Sequence, residues 1–147
     1  MAGEVEFHTG VADKLGFACR LLRKAYRQGV RLVVSGSAEL IALLDRQLWS
    51  FDEGVFVPHL RVGAGSSRAL AARTPIWLVD GEPPADAPPI LVNLGPETPA
   101  DTARFERVIE IVSRAPEDEQ AGRRRWRDYK ARGLEIRHHG AASSSGE

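Results

Sequence analysis

A run of basic and aromatic residues near the end of the chain offers the clearest binding chemistry. It reads Gly-Arg-Arg-Arg-Trp-Arg-Asp-Tyr-Lys over residues 122–130. On a helix, residues three, four and seven apart share one face. The members of that face are Arg123, Trp126, Arg127 and Lys130. Arginine forks bind carboxylates and an indole supplies apolar contact area, so the run predicts a docking face for an acidic peptide. The alternative is a solvated helix face with Trp126 turned inward.

Aromatic residues are also concentrated in the stretch 48–59, which holds Trp49, Phe51 and Phe56. Pro58 lacks an N–H, so it suits the edge of a sheet or the end of a strand. Aromatic side chains at such an edge either fill the core or anchor a partner protein. No residue type in this stretch indicates catalysis, which favours a binding protein.

Patterns typical of catalytic, nucleotide or metal sites are missing from the sequence. Gly63 and Gly65 resemble part of a phosphate-binding loop, but no lysine follows and Arg68 stands where a dinucleotide loop needs glycine. Asp45 and Asp80 are single carboxylates with no partner visible in the sequence. The histidines lack the spacing of metal ligands. They are His8, His59, His138 and His139. We therefore expect no catalytic residue, no metal and no cofactor.

Composition restricts the class of protein further. The chain has 147 residues, with 20 Lys+Arg balanced by 20 Asp+Glu. General nucleic-acid-binding domains are basic overall, so any such contact here must be local. The single cysteine, Cys19, excludes an internal disulfide, fits a reducing compartment and is expected in the core. Without a signal peptide or a long apolar run, a cytoplasmic location is expected.

Periodicity predicts an α/β domain. The predicted strands are 5–8, 30–35, 55–57, 76–79, 90–94, 107–112 and 134–137. The segment 107–112 also fits a helix, but its β-branched residues favour a strand. Predicted helices cover 13–28, a segment capped by Ser37, a short segment around 101–105, and a polar segment from Pro116 to about 132. Loops are expected at 63–73 and 81–89.

The order of strands and helices implies βαβ crossovers and a parallel sheet. A single domain is expected over 1–138, followed by a disordered tail at 139–147 that is mostly alanine and serine.

Several blocks along the chain together resemble the chi subunits of bacterial DNA polymerase III. The blocks are 17–21, 24–29, 44–49, 56–59, 90–94, 105–112 and 125–130. Their order and spacing run from about Val5 to Ile136. The resemblance implies a three-layer, Rossmann-like α/β domain with a mostly parallel mixed sheet, helices on both faces and no catalytic activity of its own.

The resemblance also implies partners and binding residues. Family members bridge the psi subunit of the clamp-loader complex to the acidic C-terminal tail of single-stranded DNA-binding protein, and some partner a repair helicase. Trp49, Phe56 and Pro58 match the psi-binding positions. Arg123, Trp126 and Arg127 match the basic-aromatic-basic pocket for the tail, and Lys130 lies on the same helix face. A replisome protein associated with the nucleoid is therefore expected, contacting DNA mainly indirectly.

The tail pocket departs from the family pattern in three places. Trp126 replaces the usual tyrosine and Arg127 a lysine, and both changes keep the chemistry. Glu119 stands where the family has a further lysine, and a carboxylate facing an acidic tail weakens binding. Either Arg124 or Lys130 compensates, or the tail enters differently.

Two other functions compete with the adaptor interpretation. One is a module that binds single-stranded DNA directly through the basic helix, by charge and aromatic stacking. The other is a nucleotide-binding enzyme on the same fold, because fold alone does not decide function.

Overall fold

The structure, a computed structural model, describes residues 3–50, 56–63 and 65–140. The strands within these residues are β1 (Glu4–Val11), β2 (Leu32–Gly36), β3 (His59–Arg61), β4 (Ile76–Asp80), β5 (Ile90–Asn93), β6 (Arg107–Ser113) and β7 (Glu135–Gly140). The helices are α1 (Lys14–Arg27), α2 (Ala38–Ser50), α3 (Arg68–Arg73) and α4 (Pro116–Ala131).

The strands form one seven-stranded sheet in the order β3-β4-β2-β5-β6-β1-β7. Every pairing among the described strands is parallel. The three-layer, Rossmann-like α/β class is therefore confirmed, with a wholly parallel sheet where we expected a mixed one. Because each parallel connection must cross over, the helices cover both faces of the sheet.

Two apolar cores lie on the two faces of the sheet. On the first face, α1 and α2 pack against side chains such as Val34 and Ile111. On the second face, α3 and α4 pack against side chains such as Phe7 and Trp77. Cys19 is fully buried in the first core, as expected, and burial raises the pKa of its thiol to about 11. None of the described helices is both long and apolar enough to cross a membrane.

Local capping explains where the long helices begin and end. The Gly16 N–H donates to the Asp13 carboxylate at 3.0 Å, and the Leu40 N–H donates to Ser37 Oγ at 3.2 Å. Gly29 and Gly133 follow α1 and α4 with φ values of +72° and +79°, a conformation that favours glycine. The cap at Ser37 was predicted from the sequence, and the predicted bounds 13–28 and 116 to about 132 agree with α1 and α4 to within one residue at each end.

The third strand begins later than the sequence predicts. The segment 55–57 was expected to be a strand, but β3 starts at His59, after Pro58, and Val55 lies outside the described residues. Pro58 cannot donate to a strand ladder, so pairing with β4 begins at His59 opposite Ile76. Val57 is still buried, and it fills the first core without strand pairing.

Other segments differ from the sequence prediction as well. Within the expected loop 63–73, Ser67 Oγ accepts from the Leu70 N–H at 3.2 Å and begins helix α3, which buries Ala71. Around 101–105 the chain forms a turn in place of the expected helix. The ambiguous segment 107–112 is a strand, because β6 pairs on both sides, and β7 continues to Gly140.

Candidate docking surfaces

Helix α4 lies unusually close to strand β6. A methyl group at Gly122 would approach Val112 Cγ2 to 2.9 Å, so only glycine permits this spacing without adjustment. Pro116 begins the helix, and Glu117 and Asp118 place negative charge in the first turn, where the helix dipole favours it. The basic-aromatic run is thereby carried on a helix with a fixed position.

A buried polar network, which the sequence did not reveal, also holds α4 in place. Arg125 Nε donates to Glu110 Oε1 at 2.8 Å, and the Tyr129 hydroxyl donates to Glu110 Oε2 at 2.6 Å. Asn93 Nδ2 donates to the same oxygen at 2.9 Å. Burial raises the pKa of the Glu110 carboxyl, although Arg125 acts to lower it. Burial and Glu110 raise the pKa of Tyr129, so its hydroxyl keeps its proton and remains a donor.

A groove of about 610 Å³ lies between α4 and the β1–β7 edge of the sheet, and we call it the α4 groove. It is lined by Phe7, Thr9, Gly10, Val112, Glu119, Gly122, Arg123, Trp126, Arg127 and His138. Three of the predicted tail-binding residues therefore come together around one cavity. The fourth, Lys130, is exposed on α4 but does not line the groove.

The floor of the α4 groove is aromatic. The Trp126 ring packs on Phe7 with centroids 4.9 Å apart, and meets His138 edge-on at 5.6 Å. His138 Nε2 lies 2.7 Å from Thr9 Oγ1. Trp126 is half-buried, so it is neither fully turned inward nor free in solvent. The residues Phe7, Thr9 and His138 come from strands distant in sequence, and nothing local to the basic run indicated them.

The rim of the α4 groove carries opposing charges. Arg123 and Arg127 are exposed, whereas Glu119 is half-buried beside them. A cationic rim around an apolar floor suits a ligand with an apolar side chain next to carboxylates. Glu119 opposes such a ligand, as the sequence indicated.

A second candidate surface lies at the opposite edge of the sheet, beside β3. Trp49 is 64% exposed and Phe56 is 56% exposed, and their ring centroids are 5.3 Å apart. The His59 ring lies 5.1 Å from Trp49. We call these three residues the aromatic cluster. Pro58 is half-buried next to it, and Phe51 lies outside the described residues. Among the alternatives for Trp49, exposure favours an anchor for a partner over core filling.

His59 holds the aromatic cluster together. Its Nδ1–H donates to the Val57 carbonyl at 2.7 Å, and its Nε2 lies 2.9 Å from Asp45 Oδ1 on α2. The His59 side chain is only 1% exposed. The sequence shows no partner for Asp45, and the fold supplies one in His59, fourteen residues along the chain. This pair fixes the segment before β3 against α2, which brings Phe56 to Trp49.

The crevice at the carboxyl ends of β1 and β6 is the place where open α/β sheets usually bind ligands. Here β1 continues into α1 on one face and β6 into α4 on the other. Lys14 Nζ bridges the crevice to Asp118 at 3.1 Å. Burial raises the pKa of Asp118, but the Ser113 N–H and Lys14 outweigh it, so the net pKa is lowered. An ion pair of the protein itself therefore spans this crevice.

Comparisons with known proteins agree with the resemblance. Residues 2–137 match the protein family described as DNA polymerase III chi subunit, HolC. The chain is 36% identical over 127 residues to DNA polymerase III subunit chi of Pseudomonas aeruginosa, covering 86% of this chain and 85% of that one. It is 30% identical over 123 residues to DNA polymerase III subunit chi of Haemophilus influenzae, covering 81% of each chain.

Proposed function

Since this chain belongs to the family of DNA polymerase III chi subunits, we propose that it bridges the psi subunit of the clamp-loader complex to the acidic C-terminal tail of single-stranded DNA-binding protein. Members of this family are accessory subunits without catalytic activity. The proposed role places the protein at the replisome, associated with the nucleoid.

The position of the two candidate surfaces carries the proposal. The aromatic cluster lies beside β3 and the α4 groove lies beside β7, and these are the two edge strands of the sheet. Six strand spacings of about 4.8 Å separate them, or roughly 29 Å. Two partners docked at these edges therefore do not collide, which a bridging subunit requires.

The aromatic cluster suits the more stable of the two contacts. Trp49 and Phe56 together expose a large apolar surface, and aromatic residues are the commonest hot spots of protein interfaces. His59 and Asp45 hold the cluster in place before a partner arrives, which lowers the entropy cost of binding. We assign this surface, with Pro58 at its border, to psi, and to a repair helicase in any complex that lacks psi.

The α4 groove suits a weaker and reversible contact. The family resemblance implies a tail that ends in Asp, Pro and Phe. The apolar floor formed by Trp126 and Phe7 suits the terminal phenylalanine, while Arg123 and Arg127 pair with the carboxylates of the tail. Such charge pairs at an exposed rim are screened by salt, so the affinity falls as salt rises. Joining a weak and a strong contact raises the effective concentration of the polymerase near coated single strands.

Reciprocal substitutions at the two surfaces test the proposal. Arg127→Glu reverses the charge at the rim of the groove, so it should abolish binding of a labelled tail peptide and leave psi binding unchanged. Trp49→Ala should cost about 2 kcal/mol or more of psi affinity and leave the peptide unaffected. Both affinities are measured by titration, and circular dichroism checks that each variant folds. Equal loss of both partners in either variant would contradict the assignment of separate surfaces.

A thermal-shift screen separates this function from the nucleotide-binding alternative. Nucleotides bound to the folded state raise the melting temperature. We expect no shift, because the chain has no complete phosphate-binding loop and Lys14 pairs with Asp118 across the crevice between β1 and β6. A clear concentration-dependent shift would instead favour the nucleotide-binding function.

A further inference from the structure

A second basic groove, which we call the α1 groove, lies on the other face of the β1–β7 edge. Its volume is about 460 Å³. Four of its lining residues are cations spaced three, four and seven residues apart on α1: Arg20, Arg23, Lys24 and Arg27. At 1.5 Å per residue, this row is about 10 Å long. No carboxylate is among the described residues that line it. The α1 groove is therefore more strongly cationic than the α4 groove, which includes Glu119.

A stack of rings runs beside the row of cations. The rings of His139 and His8 stack with centroids 4.8 Å apart and planes 14° apart, and the Phe17 ring lies 5.2 Å from His8, tilted by 48°. The Arg20 guanidinium lies 5.9 Å from the centre of the Phe17 ring. His139 is exposed at the outer end of this stack. A flat ring is thus available to solvent next to a line of positive charge.

Two of these rings, His8 and His139, also form with Glu6 a group of potential metal ligands. One ligand atom from each of Glu6, His8 and His139 lies within 4.8 Å of the others. However, Arg107 Nη2 already donates to Glu6 Oε2 at 2.6 Å. Hydrogen bonding from His8, and then from Arg107, lowers the pKa of Glu6 to about 2 against the effect of burial. Because Glu6 is occupied and the adjoining groove is cationic, this site favours an anion over a metal cation.

We propose that the α1 groove binds single-stranded nucleic acid. Its phosphates lie along the cations of α1, and one base stacks on the exposed face of His139. A groove of positive charge combined with stacking rings is the general design of sites for single strands. In the α4 groove, Phe7 and Trp126 form a recessed floor that suits one apolar side chain, whereas in the α1 groove the His139 ring is exposed at the end of the groove. An exposed ring suits stacking by a base, so the structure favours a nucleic acid over an acidic peptide. Because the chain as a whole has no net charge, we expect its affinity for nucleic acid to come from this groove and not from the surface in general.

The α1 and α4 grooves are separate sites that share one sheet edge. Parallel pairing of β1 with β7 places Phe7 opposite His138 and His8 opposite His139. Since side chains alternate along a strand, the first pair faces the α4 groove and the second pair faces the α1 groove. A tail peptide and a nucleic-acid strand can therefore be bound at the same time.

Fluorescence anisotropy with a labelled oligo-dT of about 15 nucleotides tests the proposal. With three to four phosphate contacts, we expect affinity to fall roughly 20- to 50-fold between about 50 mM and about 200 mM salt. The double variant Arg20→Glu/Lys24→Glu should lose oligonucleotide binding and keep the tail peptide. The matched control Arg123→Glu/Arg127→Glu should lose the peptide and keep the oligonucleotide. Melting temperatures verify that both variants fold.

The stacking step has its own readout. His139→Ala keeps the cations but removes the outer ring, so it should weaken oligonucleotide binding at least about 5-fold with an unchanged salt slope. The proposal is wrong if the wild type does not bind the oligonucleotide at low salt, or if Arg20→Glu/Lys24→Glu binds it as tightly as the wild type. It is also wrong if the tail peptide displaces the oligonucleotide and Arg20→Glu/Lys24→Glu loses the peptide, since the groove would then be a peptide site.

Discussion

At the scale of single residues, the α4 groove combines two arginines with one carboxylate. Arg123 and Arg127 lie at the rim, and Glu119 lies one helical turn before Arg123. For an acidic ligand, the repulsion from Glu119 offsets part of the attraction of the arginines. The neighbouring Glu117 is exposed but does not line the groove, so it is a matched position for comparison.

Replacing Glu119→Lys should therefore strengthen binding of the tail peptide. Reversal of one partly exposed charge is worth on the order of 1 kcal/mol, so we expect a roughly 3- to 10-fold gain in affinity. Titration of the tail peptide at low salt measures this gain. The control Glu117→Lys should change the affinity less than about 2-fold. If both variants gain equally, the gain comes from net charge, and the ligand does not lie beside Glu119.

At the scale of elements, α4 is held by polar and close contacts more than by a wide apolar stripe. Gly122, Arg125 and Tyr129 all face the sheet, while the adjacent Arg123 and Arg124 face solvent. The position of the basic-aromatic face therefore depends on the buried network around Glu110. Of the three consecutive arginines, Arg125 is thus buried and structural, whereas Arg123 and Arg124 lie on the surface.

Arg125→Leu and Arg124→Leu should differ sharply in stability. Removing Arg125 leaves Glu110 buried without its ionic partner, which costs about 3 kcal/mol in free energy of unfolding. Removing the exposed Arg124 should change the free energy of unfolding by less than about 0.5 kcal/mol. Urea unfolding of both variants measures the difference. A near-neutral Arg125→Leu would mean that the network does not stabilise α4.

At the scale of the whole molecule, the sheet lies between the two candidate docking surfaces. The first edge strand, β3, is only three residues long and begins with His59 of the aromatic cluster. The other edge strand, β7, separates the two basic grooves. Since the central strands are buried on both faces, we expect the distance between the edges to stay the same whichever proposed partner is bound.

We predict that the protein, psi and the tail peptide form a ternary complex. Saturating the protein with psi should change the affinity for the tail peptide less than about 2-fold, because the surfaces lie roughly 29 Å apart. Peptide titrations with and without psi, followed by size-exclusion chromatography, measure it. Displacement of the peptide by psi would show that the two partners share a surface.

Periodicity and capping made most elements predictable from the sequence. Helices α1, α2 and α4 carry local signals at Asp13, Ser37 and Pro116, and these signals act within one turn of the chain. The third strand and α3 were harder to predict from the sequence, because a three-residue strand and a six-residue helix leave almost no periodic pattern. Val57 illustrates why strand bounds are hard to predict from sequence. A buried β-branched residue before a proline is compatible with a strand or with an unpaired segment.

The α/β class, the family resemblance and the basic-aromatic face can be recognised in the amino-acid sequence. The burial of Arg125 within the arginine run and the pairing of His59 with Asp45 become visible in the folded protein alone. The same holds for His138 and His139, which line grooves on opposite faces of the sheet. The reason is physical: the register of parallel strands about 130 residues apart depends on packing of the whole sheet, which no local pattern encodes.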